Sequence, residues 1–338
     1  MLGLKNIKPW RIAHSEASLG WGGQERRILA ELTGFKSRNA WIAALAPPES
    51  TLYSKSNEAA IPVCPLNVHR LRLPFEVIRQ VQWLKRNRIQ ILNTHSSRDG
   101  YLLGMSARMA GVPLLIRSRH IDVSYPNPYI SRYAFTSFAD HILTTSQKIS
   151  KKLIETFDLN PNCVTTVPTG IDLERYKPDG VIADLGIGQK IRNHPPATVG
   201  MISVLRSWKG HPIFIKAIKM VRKAGIDLQA FIVGDGPQKE NIEDLVNSTG
   251  QNEEIKLLGY REDIPELLRS LDILVIPSTA HEGIPQIGLQ ALACGAAVIG
   301  SNVGGIPEII IPGKTGRIVE GNDSEALAQC IIETITDK

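Results

Sequence analysis

Residues 281–300 read His281-Glu282-Gly283-Ile284-Pro285-Gln286-Ile287-Gly288-Leu289-Gln290-Ala291-Leu292-Ala293-Cys294-Gly295-Ala296-Ala297-Val298-Ile299-Gly300. An apolar strand, Ile273 to Pro277, comes just before, so Glu282 falls on the loop that follows it. Pro285 suits the first turn of a small-residue helix, predicted over Pro285–Ala293, because its missing N–H costs nothing there and its φ already fits. The open N–H groups of that turn carry partial positive charge and form a ready seat for phosphate. A carboxylate beside such a seat answers both needs of a sugar joined to a diphosphate, N–H donors for the phosphates and an acceptor for the hydroxyls.

Outward from this stretch, short apolar runs alternate with amphipathic ones. In the second half strands are predicted at Thr198–Val204, Ala230–Val233, Ile255–Leu258, Ile273–Ile276 and Ala297–Gly300. Helices are predicted at His211–Ala224, Pro237–Ser248, Ile264–Leu271 and Pro285–Ala293. The first half repeats the plan, with strands at Arg11–His14, Trp41–Leu45, Ile89–Thr94, Pro113–Arg117 and His141–Thr145. Its helices are expected at Gln24–Thr33, Phe75–Asn87, Asp99–Ala110, Tyr129–Phe138 and Ser146–Phe157. In Phe75–Asn87 the residues Val77, Ile78, Val81 and Leu84 repeat at helical spacing and predict a buried face. Such alternation implies an α/β protein with parallel sheets covered by helices on both faces. A domain is expected over residues 1–170, a linker over 171–180 and a second domain over 181–338. Ile187–Pro196 reads as another loop. In open α/β sheets ligands bind beyond the carboxyl ends of the strands, and a cleft between two such domains is the natural site.

The chain's 338 residues suffice for two domains of about 150 residues each, and a 43% hydrophobic content supports full cores. Cys64, Cys163, Cys294 and Cys330 show no metal-ligand spacing, and the first three, in apolar or small-residue contexts, read as reduced core thiols, which points to a reducing cytosol. Met1 to Trp10 has no apolar run long enough for a signal peptide, and no stretch reaches the roughly 18 apolar residues of a membrane span. A cytoplasmic protein, at most peripheral on a membrane, is expected. Residues 1–175 hold 23 basic residues against 13 acidic ones, whereas the remainder holds 16 against 20. A basic first half favours an anionic partner, either a lipid surface or a lipid-linked phosphate. Nucleic acid is disfavoured, because aromatic residues do not interleave with the bases as a stacking groove requires.

Further motifs stand at predicted strand ends. Gly20-Trp21-Gly22-Gly23-Gln24-Glu25 follows the first strand and opens a helix, where glycines let backbone N–H groups approach a ligand. His95 and Arg98 follow the Ile89–Thr94 strand, and His120, with Arg117 and Arg119, follows the next. Arg206 and Lys209, three residues apart at a predicted helix start, can face one ligand and stabilise a departing diphosphate. Two cations at a helix N-terminus oppose the dipole and so argue for a bound anion. Val233-Gly234-Asp235-Gly236-Pro237 fails as a dinucleotide fingerprint, since the third glycine would fall at Lys239. Asp263, in Gly259-Tyr260-Arg261-Glu262-Asp263-Ile264, is placed to cap a helix.

Taken in order, nine of these segments resemble the GT-B-fold retaining glycosyltransferases of family 4, the group 1 glycosyltransferase domain. They are Gly22-Gly23-Gln24-Glu25-Arg26, His95 after Asn93-Thr94, Val167-Pro168-Thr169-Gly170-Ile171-Asp172, and Arg206 with Lys209-Gly210. Then come Val233 to Pro237, Gly259-Tyr260, Ile276-Pro277-Ser278, Glu282 to Gly295, and Gly304-Gly305-Ile306-Pro307-Glu308. The resemblance implies two Rossmann-like doubly wound domains facing across a cleft. It implies sugar transfer from a UDP- or GDP-linked donor to a sugar, lipid-linked or lipopolysaccharide acceptor in envelope polysaccharide synthesis. Gly22 and Gly23 would line the donor's diphosphate and sugar, and Arg206 and Lys209 would hold the diphosphate. Tyr260, Arg261 and Ile264 would contact the base through backbone. Glu282 would meet the sugar hydroxyls, aided by the amides of Gly283 and Ile284, and His120 would reach the sugar. His95, Arg98 and Arg119 are expected on the acceptor side, and Glu308 is expected to be structural.

Two departures are visible. The second acid of the family's E-x(7)-E pattern is Gln290 here, which accepts a hydrogen bond without charge assistance. Family members also continue past the equivalent of Ile332 with a helix that returns to the first domain. No Asp-X-Asp motif occurs, so no metal and no cofactor is expected. A non-hydrolysing sugar-nucleotide epimerase, a non-catalytic sugar-nucleotide-binding protein and a nucleic-acid module remain as alternatives.

Overall fold

Runs such as Trp41-Ile-Ala-Ala-Leu-Ala46 and Ile273-Leu-Val-Ile276 are apolar at every position, the mark of strands covered on both faces by helices. In the computed structural model they are the inner strands of two parallel sheets. The structure describes residues 9–69, 73–123, 125, 127–186 and 196–337. The signal-peptide reading of Met1–Trp10 therefore lies outside the described residues through position 8, and the loop expected at Ile187–Pro196 lies outside them through position 195.

The chain divides into two units, Met1–Pro168 and Thr169–Lys338. The first contains β1 (Arg11–Ser15), α1 (Gly23–Ser37), β2 (Trp41–Ala46), α2 (Thr51–Glu58), β3 (Val63–Pro65), α3 (Leu73–Arg86) and β4 (Ile91–Thr94). It continues with α4 (Ser97–Ala110), β5 (Leu114–Arg119), α5 (Pro128–Thr136), β6 (His141–Thr144), α6 (Gln147–Phe157) and β7 (Val164–Thr166). All its strands pair in parallel, in the order β3-β2-β1-β4-β5-β6-β7. The strand β3 and the strand β7 have three residues each, too few to show a period in the sequence. The polar helix α2 was equally hidden; Ser50 caps it by accepting from the N–H of Tyr53.

The second unit contains β8 (Ala197–Ile202), α7 (His211–Lys223), β9 (Leu228–Val233), α8 (Lys239–Thr249), β10 (Ile255–Gly259) and α9 (Ile264–Arg269). Then come β11 (Ile273–Ile276), α10 (Gln286–Ala293), β12 (Ala297–Ser301), β13 (Gly316–Val319) and α11 (Ser324–Thr336). The sheet order is β10-β9-β8-β11-β12-β13, again parallel. One face packs Phe214, Ile218 and Val221 of α7 with Leu327 and Ile331 of α11. The other packs Leu267 and Leu268 of α9 with Ala291 of α10. Tyr176, in the segment expected as a linker, is buried in this second core.

Both sheets reverse their strand order at one place, between β1 and β4 in the first unit and between β8 and β11 in the second. Loops leaving adjacent strands at such a switch point run to opposite faces and leave a crevice at the carboxyl edge.

One packing expectation is corrected. Ile78 is 56% exposed, while Val77 and Leu84 are buried. The residues that complete the inner face of α3 are Glu76 and Gln80. They are tolerated because Glu76 accepts from the N–H of Asn67 at 3.0 Å and from Gln80 at 2.8 Å, and pairs with Arg79 at 2.6 Å. Buried polar groups persist where such partners exist. All four cysteines are free thiols, and burial pushes that of Cys64 up to about 11. Among the described residues no helix is long and apolar enough to cross a membrane.

Candidate functional site

The crevice of the second unit is built by the loops after β8 and β11. Glu282 is 5% exposed. One of its oxygens accepts from Ser278 Oγ at 2.7 Å and from Lys209 Nζ, so the two loops are joined through the carboxylate. Such a charge-assisted bond is about twice as strong as a neutral one. The side chain of Arg206 is exposed and lies 5.1 Å from the Trp208 ring, which meets His281 edge-on. The backbone of Trp208 accepts from Thr279 N–H at 2.8 Å. Strand order thus brings the loops of Arg206, Lys209 and Glu282 to one crevice and adds Ser278, Trp208 and His281, which the sequence did not single out as ligand-facing residues.

The glycines serve this crevice by close packing. Gly304 has φ +56°, and a Cβ there would lie 2.1 Å from the Glu282 carbonyl oxygen. Its neighbour Gly305 donates to Gly283 O at 3.2 Å, so the Gly304-Gly305 turn braces the Glu282 loop from behind. Gly234 has φ +141°, and a Cβ would meet Ser203 O at 1.8 Å. The Gly-Asp-Gly turn is therefore a support for the Arg206 loop, consistent with its failure as a dinucleotide motif.

The helix α10 begins at Gln286, one residue later than the sequence suggested, with Pro285 as its N-cap. Gly283 and Ile284 are buried, and among the described residues their N–H groups have no acceptor. Backbone donors left unpaired in a buried loop are costly unless something else accepts from them. Gln290 is half-buried on the same helix. Tyr260 is 56% exposed, and Ile264 opens α9. Asp263 occupies the N-cap of α9 but makes no capping bond, because its carboxylate is held by Arg261 at 2.8 and 2.5 Å. The guanidinium keeps the Asp263 carboxyl below its usual range.

In the first unit the carboxyl ends of β1, β4 and β5 carry three histidines, all buried. His14 Nδ1 lies 3.0 Å from His95 Nε2, and His95 Nδ1 lies 2.7 Å from His120 Nε2. Burial holds all three below the usual imidazole range, His95 and His120 well below it. They are therefore neutral at neutral pH. Glu31 of α1 stands 3.7 Å from His14 Nδ1 and is paired with Arg27 at 2.7 Å. His14 and Glu31 were not recognised from sequence, because strand order makes them neighbours of His95 and local spacing does not.

The glycine turn differs from expectation in one respect. Gly22 N–H is taken by the Glu25 carboxylate at 2.8 Å, whereas Gly23 is exposed at the start of α1. Buried acids crowd behind it. Glu16, fully buried, accepts from Ser18 N–H at 2.8 Å and from Gln24. Burial, with Asp99 and Glu25 nearby, pushes its carboxyl up to about 8. Asp99 accepts from Ser15 at 2.5 Å, from Ser96 and from His95 N–H. Arg119 is buried with its guanidinium 5.8 Å from the Tyr125 ring, so it packs inside the unit and does not line an open surface. Arg98, by contrast, lines a cavity of about 850 Å3 with Leu19, Pro47, Leu66 and Phe75.

The ligand atoms of His14, Glu31 and His95 lie within 4.8 Å of one another. Glu31 is paired with Arg27 at 2.7 Å, and the two facing imidazole nitrogens are spent on each other. The cluster is a hydrogen-bonded chain with a fixed cation beside it, an environment that opposes a second positive charge.

Two family models match the chain, "Glycosyltransferase Family 4" over residues 21–175 and "Glycosyl transferases group 1" over residues 187–338. An Escherichia coli UDP-Gal:alpha-D-GlcNAc-diphosphoundecaprenol alpha-1,3-galactosyltransferase is 25% identical, over 82% of this chain and 74% of its own. A Corynebacterium glutamicum GDP-mannose-dependent monoacylated alpha-(1-6)-phosphatidylinositol monomannoside mannosyltransferase is 30% identical, over 70% of this chain and 64% of its own. The crystal structure of Anabaena HepE in complex with UDP superposes with a TM-score of 0.82, at 21% identity, over 97% of this chain and 90% of that one.

Proposed function

We propose, from the premise that the chain belongs to the group 1 glycosyltransferases of GT-B type, that it moves a sugar from a nucleoside-diphosphate donor to an acceptor hydroxyl with retention of configuration. The observation that carries this reading is the crevice between β8 and β11, where Lys209, Ser278 and Glu282 are bonded together beside the open N–H groups of Gly283 and Ile284. The diphosphate takes those N–H groups and the cations of Arg206 and Lys209. Fixed donors aimed at the charge that grows on a leaving phosphate lower the barrier without rearranging. Glu282 accepts from sugar hydroxyls, and Lys209 and Ser278 hold its carboxylate in place. By the family resemblance alone, His120 is read as a contact of the sugar. The C1–phosphate bond breaks with its electron pair leaving on phosphate, the acceptor oxygen bonds C1 on the same face, and the acceptor's proton passes to the leaving phosphate. No protein nucleophile and no metal is required.

UDP and GDP are the donor nucleotides favoured by the relatives' named substrates. For the acceptor, the cavity lined by Leu19, Pro47, Leu66 and Phe75 has apolar walls and carries Arg79 and Arg98 beside Glu49 and Glu76; the apolar walls suit the lipid part of a lipid-linked or lipopolysaccharide acceptor. The 23 bases against 13 acids in residues 1–175 support peripheral binding at an anionic membrane.

A thermal-shift panel of UDP, GDP and their sugars identifies the base, and transfer assays with that donor test the chemistry. Glu282→Ala is expected to lower turnover by about a hundredfold or more; near-normal turnover removes Glu282 from the mechanism. Loss of activity in EDTA overturns metal independence. Donor binding with neither transfer nor slow donor hydrolysis favours a binding protein, the reading to which Gln290 points.

A further inference from the structure

Three neutral imidazoles joined by two N···N hydrogen bonds have only two self-consistent proton arrangements. Each contact needs one protonated and one bare nitrogen. If His95 carries its proton on Nδ1, its Nε2 is bare, so His14 must be protonated on Nδ1 and His120 must leave Nε2 bare and carry Nδ1–H. If His95 carries Nε2–H, every ring takes the opposite tautomer. His120 then presents a bare Nδ1 in place of an Nδ1–H. Because Nε2 of His120 is engaged with His95, Nδ1 is the ring atom left to meet a ligand, and among the described residues it has no partner. The first arrangement makes His120 a hydrogen-bond donor; the second makes it an acceptor.

We propose that Glu31, His14 and His95 are positioning residues that lock His120 in the Nδ1–H form, so that it donates to an oxygen of the bound substrate. The selecting group is Glu31. Its oxygen lies 3.7 Å from His14 Nδ1, where it attracts an N–H and repels a lone pair. Arg27 pins that carboxylate through Nε at 2.7 Å and is itself tied to Val167 O at 3.1 and 3.2 Å. Burial, with Arg27 and Arg119 nearby, opposes protonation of His120, so the tautomer, not the charge, is what the chain controls. The preference travels from His14 on β1 through His95 after β4 to His120 after β5, because these three strands are adjacent in the sheet. Which nitrogen of a histidine carries the proton is set by the bond its other nitrogen makes.

The consequence for turnover rests on the reading of His120 as a sugar contact; the tautomer itself does not. The test is 15N NMR of the full chain labelled at its histidine rings, without ligand at neutral pH, with His14, His95 and His120 assigned by single substitutions. Expected are three neutral rings protonated on Nδ1, with bare Nε2. Nε2–H rings, or charged imidazoliums at these positions, overturn the proposal without need of any variant. In Glu31→Gln an amide that either donates or accepts replaces the carboxylate, so the two tautomers should mix; an unchanged spectrum overturns the role of Glu31. Turnover of Glu31→Gln should fall by roughly tenfold with KM little moved, and Glu31→Asp, which keeps the charge, should recover most of it. The expected tautomers in a protein that transfers no sugar would leave the relay standing and overturn the proposed function.

Discussion

Glu282 and Glu16 show how differently two buried carboxyls are handled. One oxygen of Glu282 meets a cation and a hydroxyl, and its loop is kept by a turn that only glycine can form, Gly304 at φ +56° against the Glu282 carbonyl. Gly304→Ala is expected to destabilise the chain by about 2 kcal/mol, and a urea titration reads the shift in midpoint. Among the described residues Glu16 has no cation paired with it. Its folded pKa of about 8 stands above the ordinary 4.5, so the native state holds a proton that the unfolded chain has released. The resulting loss of stability is absent below pH 4.5, grows as pH rises toward 8, and is constant above it. Glu16→Gln removes that ionisation while keeping an amide for Ser18 and Gln24 to bond. Its thermal midpoint should gain on the native protein progressively between pH 5 and 8; a constant difference across that window would contradict the assignment.

Among the elements, α3 separates hydrophobic pattern from packing. Val77, Ile78, Val81 and Leu84 all fit a helical period, but with 3.6 residues per turn Val77, Val81 and Leu84 share one side of the helix while Ile78 stands about 100° round from Val77, at the edge of that stripe. Leu84 is 1% exposed and Ile78 is 56% exposed. Leu84→Ala is expected to cost about 3 kcal/mol, whereas Ile78→Ser should stay within about 0.5 kcal/mol; equal losses in denaturant titrations would put Ile78 in the core. The long central strands and the helices between them were legible because burial on both faces enforces apolar runs and 3.6-residue periods. Short β3, β7 and polar α2 were not, since their existence depends on neighbours. The α11 helix was within reach of sequence reading: Asp323 caps it with bonds to the N–H groups of Glu325 and Ala326.

For the molecule as a whole, charge is divided unevenly: 23 bases against 13 acids in residues 1–175, and 16 against 20 beyond. Phe75 and Ile78 on α3 are exposed in the basic half. Co-sedimentation with vesicles containing anionic lipid should therefore be measurable at low salt and fall steeply as ionic strength rises, since exposed charges separated by more than about 8 Å are screened near 0.15 M. Binding indifferent to salt, or equal on neutral vesicles, would rule out an electrostatic association.

The sequence by itself determined the alternation of strands and helices, the family, and the individual groups that line the crevice after β8 and β11, because local spacing places Arg206 near Lys209 and Glu282 before the turn that opens α10. Only the tertiary structure decided which distant groups meet. His14, His95 and His120 are separated by 81 and 25 positions, and Glu282 reaches Lys209 across 73. These meetings follow from strand order at the two switch points, and strand order is settled by packing over the whole sheet, which no local pattern encodes.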